Sequence, residues 1–261
     1  MPLLTLTPPR VQNPVQNRLA PSRAAGESFD DLSYADFLAQ YVADATMPLW
    51  LRFRETTGTV AVNSGSAGAA LNGTIAGTTV LGQTGALGAN EAFDLDGLTS
   101  RITSAGVEYA TFTIAMLVRP DNAGEGNVGA FFSHANTVNR LQFSGSLNAI
   151  TMKVAAGTDA LSTTTTGLAA AIWQWIFLTY ADAGDRKIHL YKGVSGAVSE
   201  YAYSAQDAAT GTKATMAGQT LTIGNRTAND VTFDGRIDEF KLHTVVRPIA
   251  WMTDLVRSKG V

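Results

Sequence analysis

The sequence predicts an all-β fold, an antiparallel sandwich of two sheets, preceded by an extended N-terminal arm and a short helix. Three observations carry this expectation. From residue 48 onward, short apolar runs are separated by Gly, Ser, Thr and Asn at intervals of roughly 8–12 residues, the spacing of sandwich strands. Beyond residues 33–45 no strong helical stripe recurs. Residues 219–243 read as two strands joined by a polar loop, and they organise the rest.

In that last stretch Leu221, Thr222 and Ile223 alternate apolar and polar until Gly224 and Asn225 break the run. After the loop, Ile237 falls on one face by simple alternation, and Phe240 and Leu242 fall on the other. Such a change of parity near Asp238 and Glu239 predicts a β-bulge, or a strand buried on both sides at different points. Further strands are expected at residues 50–54, 112–118, 130–132, 141–143, 150–154, 172–180, 188–191 and 201–203, and Asn72-Gly73 reads as a turn. The Ser/Thr run 162–166 reads as a polar β edge. Trp251, Met252 and Leu255, after Pro248, form an apolar patch expected as a helical turn.

Three regions follow from this: an arm over 1–32, a helix and linker over 33–47, and one sandwich domain over 48–261. Residues 1–27 hold five of the eight prolines and the cations Arg10, Arg18 and Arg23, with no acid before Glu27. Proline this dense forbids helix and interior strand and leaves a polyproline-like extension. An arm without a core of its own gains order only from something that holds it, a partner chain or its own domain. Tyr34, Phe37, Leu38, Tyr41, Val42 and Ala45 make one apolar stripe at helical spacing, opened by Ser33 and Asp36 as a capping box. A helix this short must bury its stripe. Arg10, Arg18, Arg23, Tyr34, Phe37, Leu38 and Tyr41 are therefore the expected assembly anchor.

Composition narrows the function. Apolar residues make up 45% of the chain and charged residues 16%, as in folded globular chains. A net charge of −3 argues against general nucleic-acid binding, which needs a basic surface. With no cysteine there is neither a disulfide framework nor a thiolate metal site. The N-terminus lacks the charged start and apolar core of a secretory signal, and no run approaches the roughly 20 apolar residues of a membrane span. Gly124-Glu125-Gly126-Asn127-Val128-Gly129 matches the Gly-x-Gly-x-x-Gly spacing of dinucleotide sites, but a strand rather than a helix is expected after it.

Five pieces stand in a recognisable order. They are residues 49–53 followed by Asn72, Gly73 and Thr74; residues 93–97 followed by Arg101 and Ile102; residues 112–120; residues 173–180 with 187–193; and residues 221–225 with 235–242. In this order they resemble the laminin G-like, concanavalin A-like jelly-roll superfamily over about residues 48–246. Lys192 stands where the family usually has Asp, and residues 244–249 replace its usual short acidic ending. The resemblance implies a rim-loop binding domain for carbohydrate or protein ligands, in some members with bound calcium.

The candidate residues follow from chemistry. Calcium takes six to eight oxygen ligands, and Asp94 and Asp96 are the alternating carboxylates that would begin such a set. Asp121, Asn122 and Glu125 in one loop, and Asn225, Asn229, Asp230 and Asp234 in another, are candidate ligand-binding groups; all are also ordinary turn residues. Trp50, Trp173 and Trp175 read as core, which leaves Tyr109 and Tyr201 as exposed aromatics for sugar stacking. No catalytic set is expected: Asp238 and Glu239 are adjacent and would face opposite ways in a regular strand, so Asp238 is expected to tie down a neighbouring loop. His134, His189 and His243 are too widely spaced for a local zinc motif.

Two functional readings remain. In the first, the chain is a non-enzymatic structural protein of a virus-like particle, a phage decoration, spike or tail component, oligomeric in the assembly and anchored to other virion proteins by its arm. It would assemble in the host cytoplasm. In the alternative, it is a carbohydrate-binding adhesin for host-surface glycans, with calcium as the possible cofactor.

Overall fold

The computed structural model describes residues 44–135 and 139–261. The expected arm, and the expected helix up to residue 43, lie outside the described residues, as do all seven anchor residues. The described chain forms seventeen strands and one α-helix. In order the strands are β1 (Leu49–Leu51), β2 (Val60–Ala61), β3 (Gly73–Ala76), β4 (Val80–Gln83), β5 (Ala92–Asp96) and β6 (Arg101–Ala105). Next come β7 (Thr111–Pro120), β8 (Ala130–His134), β9 (Asn139–Phe143), β10 (Ile150–Val154), β11 (Ala160–Thr164) and β12 (Gln174–Ala181). The last are β13 (His189–Val194), β14 (Ala197–Glu200), β15 (Tyr203–Asp207), β16 (Thr220–Ile223) and β17 (Asp234–His243), and α1 (Ile249–Ser258) follows.

The strands form two antiparallel sheets. The first runs β14-β13-β12-β7-β17-β5-β4, with β1 also paired to β17. The second runs β15-β11-β10-β9-β8-β16-β6-β3-β2. Between them lies the main core, in which Phe112, Met116 and Leu178 of the first sheet meet Phe132, Phe143 and Ile223 of the second. The glycine-rich loop 124–129 makes a single tight turn and then enters strand β8, as its sequence predicted. The Ser/Thr run is not an edge. It overlaps β11, which lies between β10 and β15, and there the Ser162 hydroxyl donates to the Ile188 carbonyl at 2.8 Å.

The parity change in β17 is a bulge: its register on β7 shifts between Ile237 and Glu239. The extra residue lets Ile237, Phe240 and Leu242 all face the main core. It also turns Asp238 and Glu239 toward the same, outer side, where both reach one ammonium. Lys259 Nζ lies 2.8 Å from Asp238 Oδ1 and 3.2 Å from Glu239 Oε1. The second Asp238 oxygen accepts the Ala86 N–H at 2.9 Å, so this carboxylate does hold a neighbouring loop. Glu239 Oε2 also accepts the Trp50 indole N–H at 3.1 Å and pairs with Lys241.

All four charges are fully buried because α1 lies over them. The expected helical turn is a ten-residue helix whose Trp251, Met252, Leu255 and Val256 pack on Trp50, Leu117, Trp175 and Phe177. Each such side chain removed from water contributes about 2 kcal/mol. The helix approaches β13 so closely that a Cβ on Gly193 would lie 2.4 Å from Val256 Cγ2. Burial pushes the Lys241 ammonium down to about 8, against the opposing pull of Glu239. Burial likewise pushes the Asp238 carboxyl up, with Lys259 pulling the other way.

Candidate functional site

Residues opposite one another in an antiparallel ladder share a face. One ladder row across the first sheet runs Trp50, Lys241, Ala115, Phe177, Tyr191, Glu200, and the next runs His243, Thr113, Thr179, His189. Helix α1 covers the Trp50–Phe177 side of this face. Where its cover stops, the rows continue as Tyr191, Glu200, Thr179 and His189. There a solvent-open cavity of about 320 Å³ is lined by Thr179, Gly184, Asp185, His189 and Tyr191, with Val246 at its helix side.

The turn between β12 and β13 sets the cavity wall. Arg186 sits at φ +57°, and its guanidinium bonds the Asp182 carboxylate at 2.8 Å and the Gly211 carbonyl at 2.7 Å. Asp185 Oδ1 accepts the Lys187 N–H at 3.0 Å, which aims Oδ2 at His189 Nε2, 2.9 Å away. The other ring nitrogen, His189 Nδ1, is 2.7 Å from Glu200 Oε1. The Tyr203 hydroxyl donates to that same oxygen at 2.9 Å. With a carboxylate on each nitrogen, the ring is held as an imidazolium. Burial lowers its pKa, but Asp185 and Glu200 together outweigh that and raise it above the ordinary value. Asp185 itself is held low: burial raises it, and the Lys187 N–H with His189 more than compensates.

This is chemistry for holding a ligand. A half-exposed aromatic offers a face for sugar C–H groups, while carboxylate and hydroxyl oxygens accept hydroxyl protons. A glycosidase acid needs a carboxyl kept protonated near neutral pH, and Asp185 is driven the other way.

The residues expected from the sequence sit elsewhere, and their three clusters meet at one rim of the sandwich. Asp234 pairs in register with Asp96, and its carboxylate accepts from the Asn122 amide. Glu125 Oε2 accepts the Thr232 N–H at 3.1 Å. These groups bind one another rather than converge on a vacant centre. Asp94 pairs with Arg236 at 3.3 Å, Asp121 with Arg119 at 2.9 Å, and Asp230 with Arg226. Asn225 is buried, its amide donating to Asn229 Oδ1 at 2.8 Å and Thr232 Oγ1 at 2.6 Å. Asp96 Oδ1 accepts the N–H groups of Leu98, Thr99 and Ser100 at 2.9–3.0 Å, and Oδ2 accepts from Thr78 and Thr99. Burial raises its pKa, but those hydrogen bonds dominate and hold it well below the carboxylate range. Among the described residues no three His, Cys, Asp or Glu side chains are grouped as a metal site.

The exposed-aromatic expectation is corrected. Tyr109 and Tyr201 are 4% and 6% exposed, because each completes the main core with its ring. Tyr191, Asp185 and Glu200 lie outside the candidates that the sequence singles out, and His189 reads there only as one of three widely spaced histidines. The signal was in the hairpin. Ser195 and Gly196 are a two-residue turn, both at positive φ, so Val194 must face Ala197 and, counting back, Tyr191 must face Glu200.

Comparison with known proteins follows this geometry. A family model described as the concanavalin A-like lectin/glucanases superfamily matches residues 96–249. No curated protein sequence matches. Among solved structures, the receptor-binding domain of botulinum neurotoxin mosaic serotype C/D superposes with a TM-score of 0.60 at 11% identity, over 82% of this chain and 51% of that one. The binding domain of botulinum neurotoxin DC in complex with SialylT gives 0.57 at 12% identity, over 82% and 51%. Domain 4 of the extracellular arabinanase AbnA from Geobacillus stearothermophilus, in complex with arabinotriose, gives 0.56 at 15% identity, over 81% and 98%. The chain thus spans about half the length of the toxin domains and nearly all of the arabinanase domain. Among the described residues no helix is long and apolar enough to cross a membrane.

Proposed function

Because the chain belongs to the concanavalin A-like lectin/glucanases superfamily, we propose that it is a non-catalytic carbohydrate-binding module whose ligand sits in the cavity at the edge of α1. The observation that carries this reading is the cavity itself, where Tyr191 stands beside the Asp185–His189–Glu200 hydrogen-bonded chain. An aromatic face next to fixed oxygen acceptors is the pairing a pyranose or furanose ring requires. Two structural neighbours solved with bound arabinotriose and SialylT support sugar binding on this fold. The reading as a phage-particle component draws on residues 10–41, outside the described residues, and neither the fold nor the relatives add to it.

A glycan array probed with the multimerised chain, in calcium and again in chelator, tests the proposal. Binding in both conditions is expected, since the cavity uses no metal-ligand set. Tyr191→Ala should weaken binding about tenfold, the loss of one stacking contact of roughly 1–1.5 kcal/mol. Silence on the array, or full affinity in a folded Tyr191→Ala variant, sinks this assignment.

A further inference from the structure

The buried charges beneath α1 bring an amine, a carboxyl group and a second acid together from distant parts of the chain. Lys259, the residue after α1, puts its Nζ 2.8 Å from Asp238 Oδ1 and 3.2 Å from Glu239 Oε1, and all three side chains are buried. The other oxygen of Asp238, Oδ2, accepts the Ala86 N–H at 2.9 Å. Glu239 Oε2 is held by the Trp50 indole N–H and by Lys241. Oε1, the oxygen beside the amine, makes no hydrogen bond among the described residues. An ion pair needs only the 2.8 Å contact. The rest of the arrangement is what acyl transfer to nitrogen needs: a fixed donor on the carboxyl oxygen and a base beside the amine.

We propose that Lys259 and Asp238 join in an intramolecular amide, formed by the chain itself with Glu239 as the proton carrier. Within the buried pair a proton passes from the Lys259 ammonium to the Asp238 carboxylate, leaving a neutral amine and a neutral acid. Burial favours that neutral acid, against the pull of Lys259. The Nζ lone pair attacks Cγ, and the Ala86 N–H stabilises the negative charge that gathers on Oδ2. Glu239 Oε1 takes a proton from Nζ and delivers it to Oδ1. The Nζ–Cγ bond forms, the Cγ–Oδ1 bond breaks, and Oδ1 leaves as water carrying two of the ammonium protons. Oδ2 becomes the amide carbonyl, and nothing is oxidised or reduced. Asp238 rather than Glu239 is the acyl partner because it lies nearer the amine and its second oxygen meets a neutral N–H, whereas that of Glu239 is paired with Lys241. Fixed proximity replaces an encounter in solution, and the cover of α1 keeps bulk water from hydrolysing the product. The amide would fasten the end of α1 to β17, joining residues 21 positions apart. It stands apart from the glycan reading.

Mass spectrometry of the full chain, denatured and then digested with trypsin, tests this. The intact chain should weigh one water less than its sequence. Trypsin cleaves after Arg236, Lys241 and Arg257 but not after an acylated Lys259, so residues 237–241 should emerge joined to 258–261. Lys259→Arg should restore the full mass. Asp238→Asn should still close, losing one ammonia in place of one water, which identifies the acyl partner directly. Glu239→Gln, in chains whose circular dichroism matches the wild type, should keep the full mass. A wild-type chain at its full sequence mass, with 237–241 released alone, would overturn the proposal whatever the variants do. A link from Lys259 to Glu239, or closure in folded Glu239→Gln, would overturn the roles assigned to the two acids.

Discussion

Single side chains in this protein are placed with opposite protonation demands. His134 closes β8 opposite Leu221 and Asn139, facing the main core between the rings of Tyr109 and Phe132. Among the described residues neither ring nitrogen has a hydrogen-bond partner, and burial, reinforced by Lys213 and opposed by Glu108, pushes its pKa down to about 4. The unfolded chain then takes up a proton near pH 6.5 while the folded one refuses it until about 4. Stability from this group is complete above pH 6.5 and drains away as pH falls toward 4, at about 1.4 kcal/mol per pH unit. His134→Leu should make the slope of unfolding free energy against pH shallower by one proton across that window, read by urea denaturation. Parallel slopes would show that His134 is protonated, or solvated, in the fold. His189 runs the other way: its raised pKa means its contribution is present in acid and lost as the imidazolium deprotonates with rising pH.

At the scale of elements, α1 and the first sheet are one unit, held at Gly193 on β13 and, through Lys259, at Asp238 and Glu239 on the bulged strand β17. A Cβ at 193 would sit 2.4 Å from Val256 Cγ2 and 2.9 Å from Trp175 Cβ, so Gly193→Ala should cost about 1–3 kcal/mol by overpacking. Val256→Ala in the same chain should return part of that cost, a positive coupling in a double-mutant cycle; strict additivity would separate the helix from the glycine. Lys259→Met leaves Asp238 and Glu239 buried without their shared cation, a loss of about 3–5 kcal/mol. Adding Asp238→Asn should recover some of it. This unit was half legible beforehand. The bulge followed from side-chain parity, because burial of one face makes parity a strict constraint. The sequence predicts only a turn for the helix because its buried residues, Trp251, Met252, Leu255 and Val256, span barely more than one turn and no side chain caps its start. That Lys259 joins Asp238 and Glu239 needed the tertiary fold, since 21 residues separate it from Asp238.

For the whole molecule, the order of strands was readable from local runs, whereas the site arises from where a cover ends. Turn residues such as Asp96 and Asn225 attract attention in a sequence because they are polar and clustered, yet the fold consumes their polar atoms in its own loops. Tyr191 and Glu200 look like ordinary hairpin residues until α1 shields one part of their sheet face and leaves the other part open. The described residues therefore form two cores of different standing: one sealed between two sheets, the other covered on the outside by a ten-residue helix. Segments that rest on one layer of contacts open at lower free energy than a sandwiched core. Ending the chain after Arg247 should keep the sandwich, with its strand signature in far-ultraviolet circular dichroism. It would uncover Trp50, Trp175 and Phe177, and leave the buried charges of Asp238, Glu239 and Lys241 facing water. An exposed apolar strip of that kind binds hydrophobic dyes and drives self-association. The truncated chain should accordingly show strong anilinonaphthalene sulfonate fluorescence and concentration-dependent oligomers, with a melting temperature lowered by several degrees. Complete loss of the strand signal would instead make α1 part of the sandwich's own stability, and the outer core would be no less essential than the inner one.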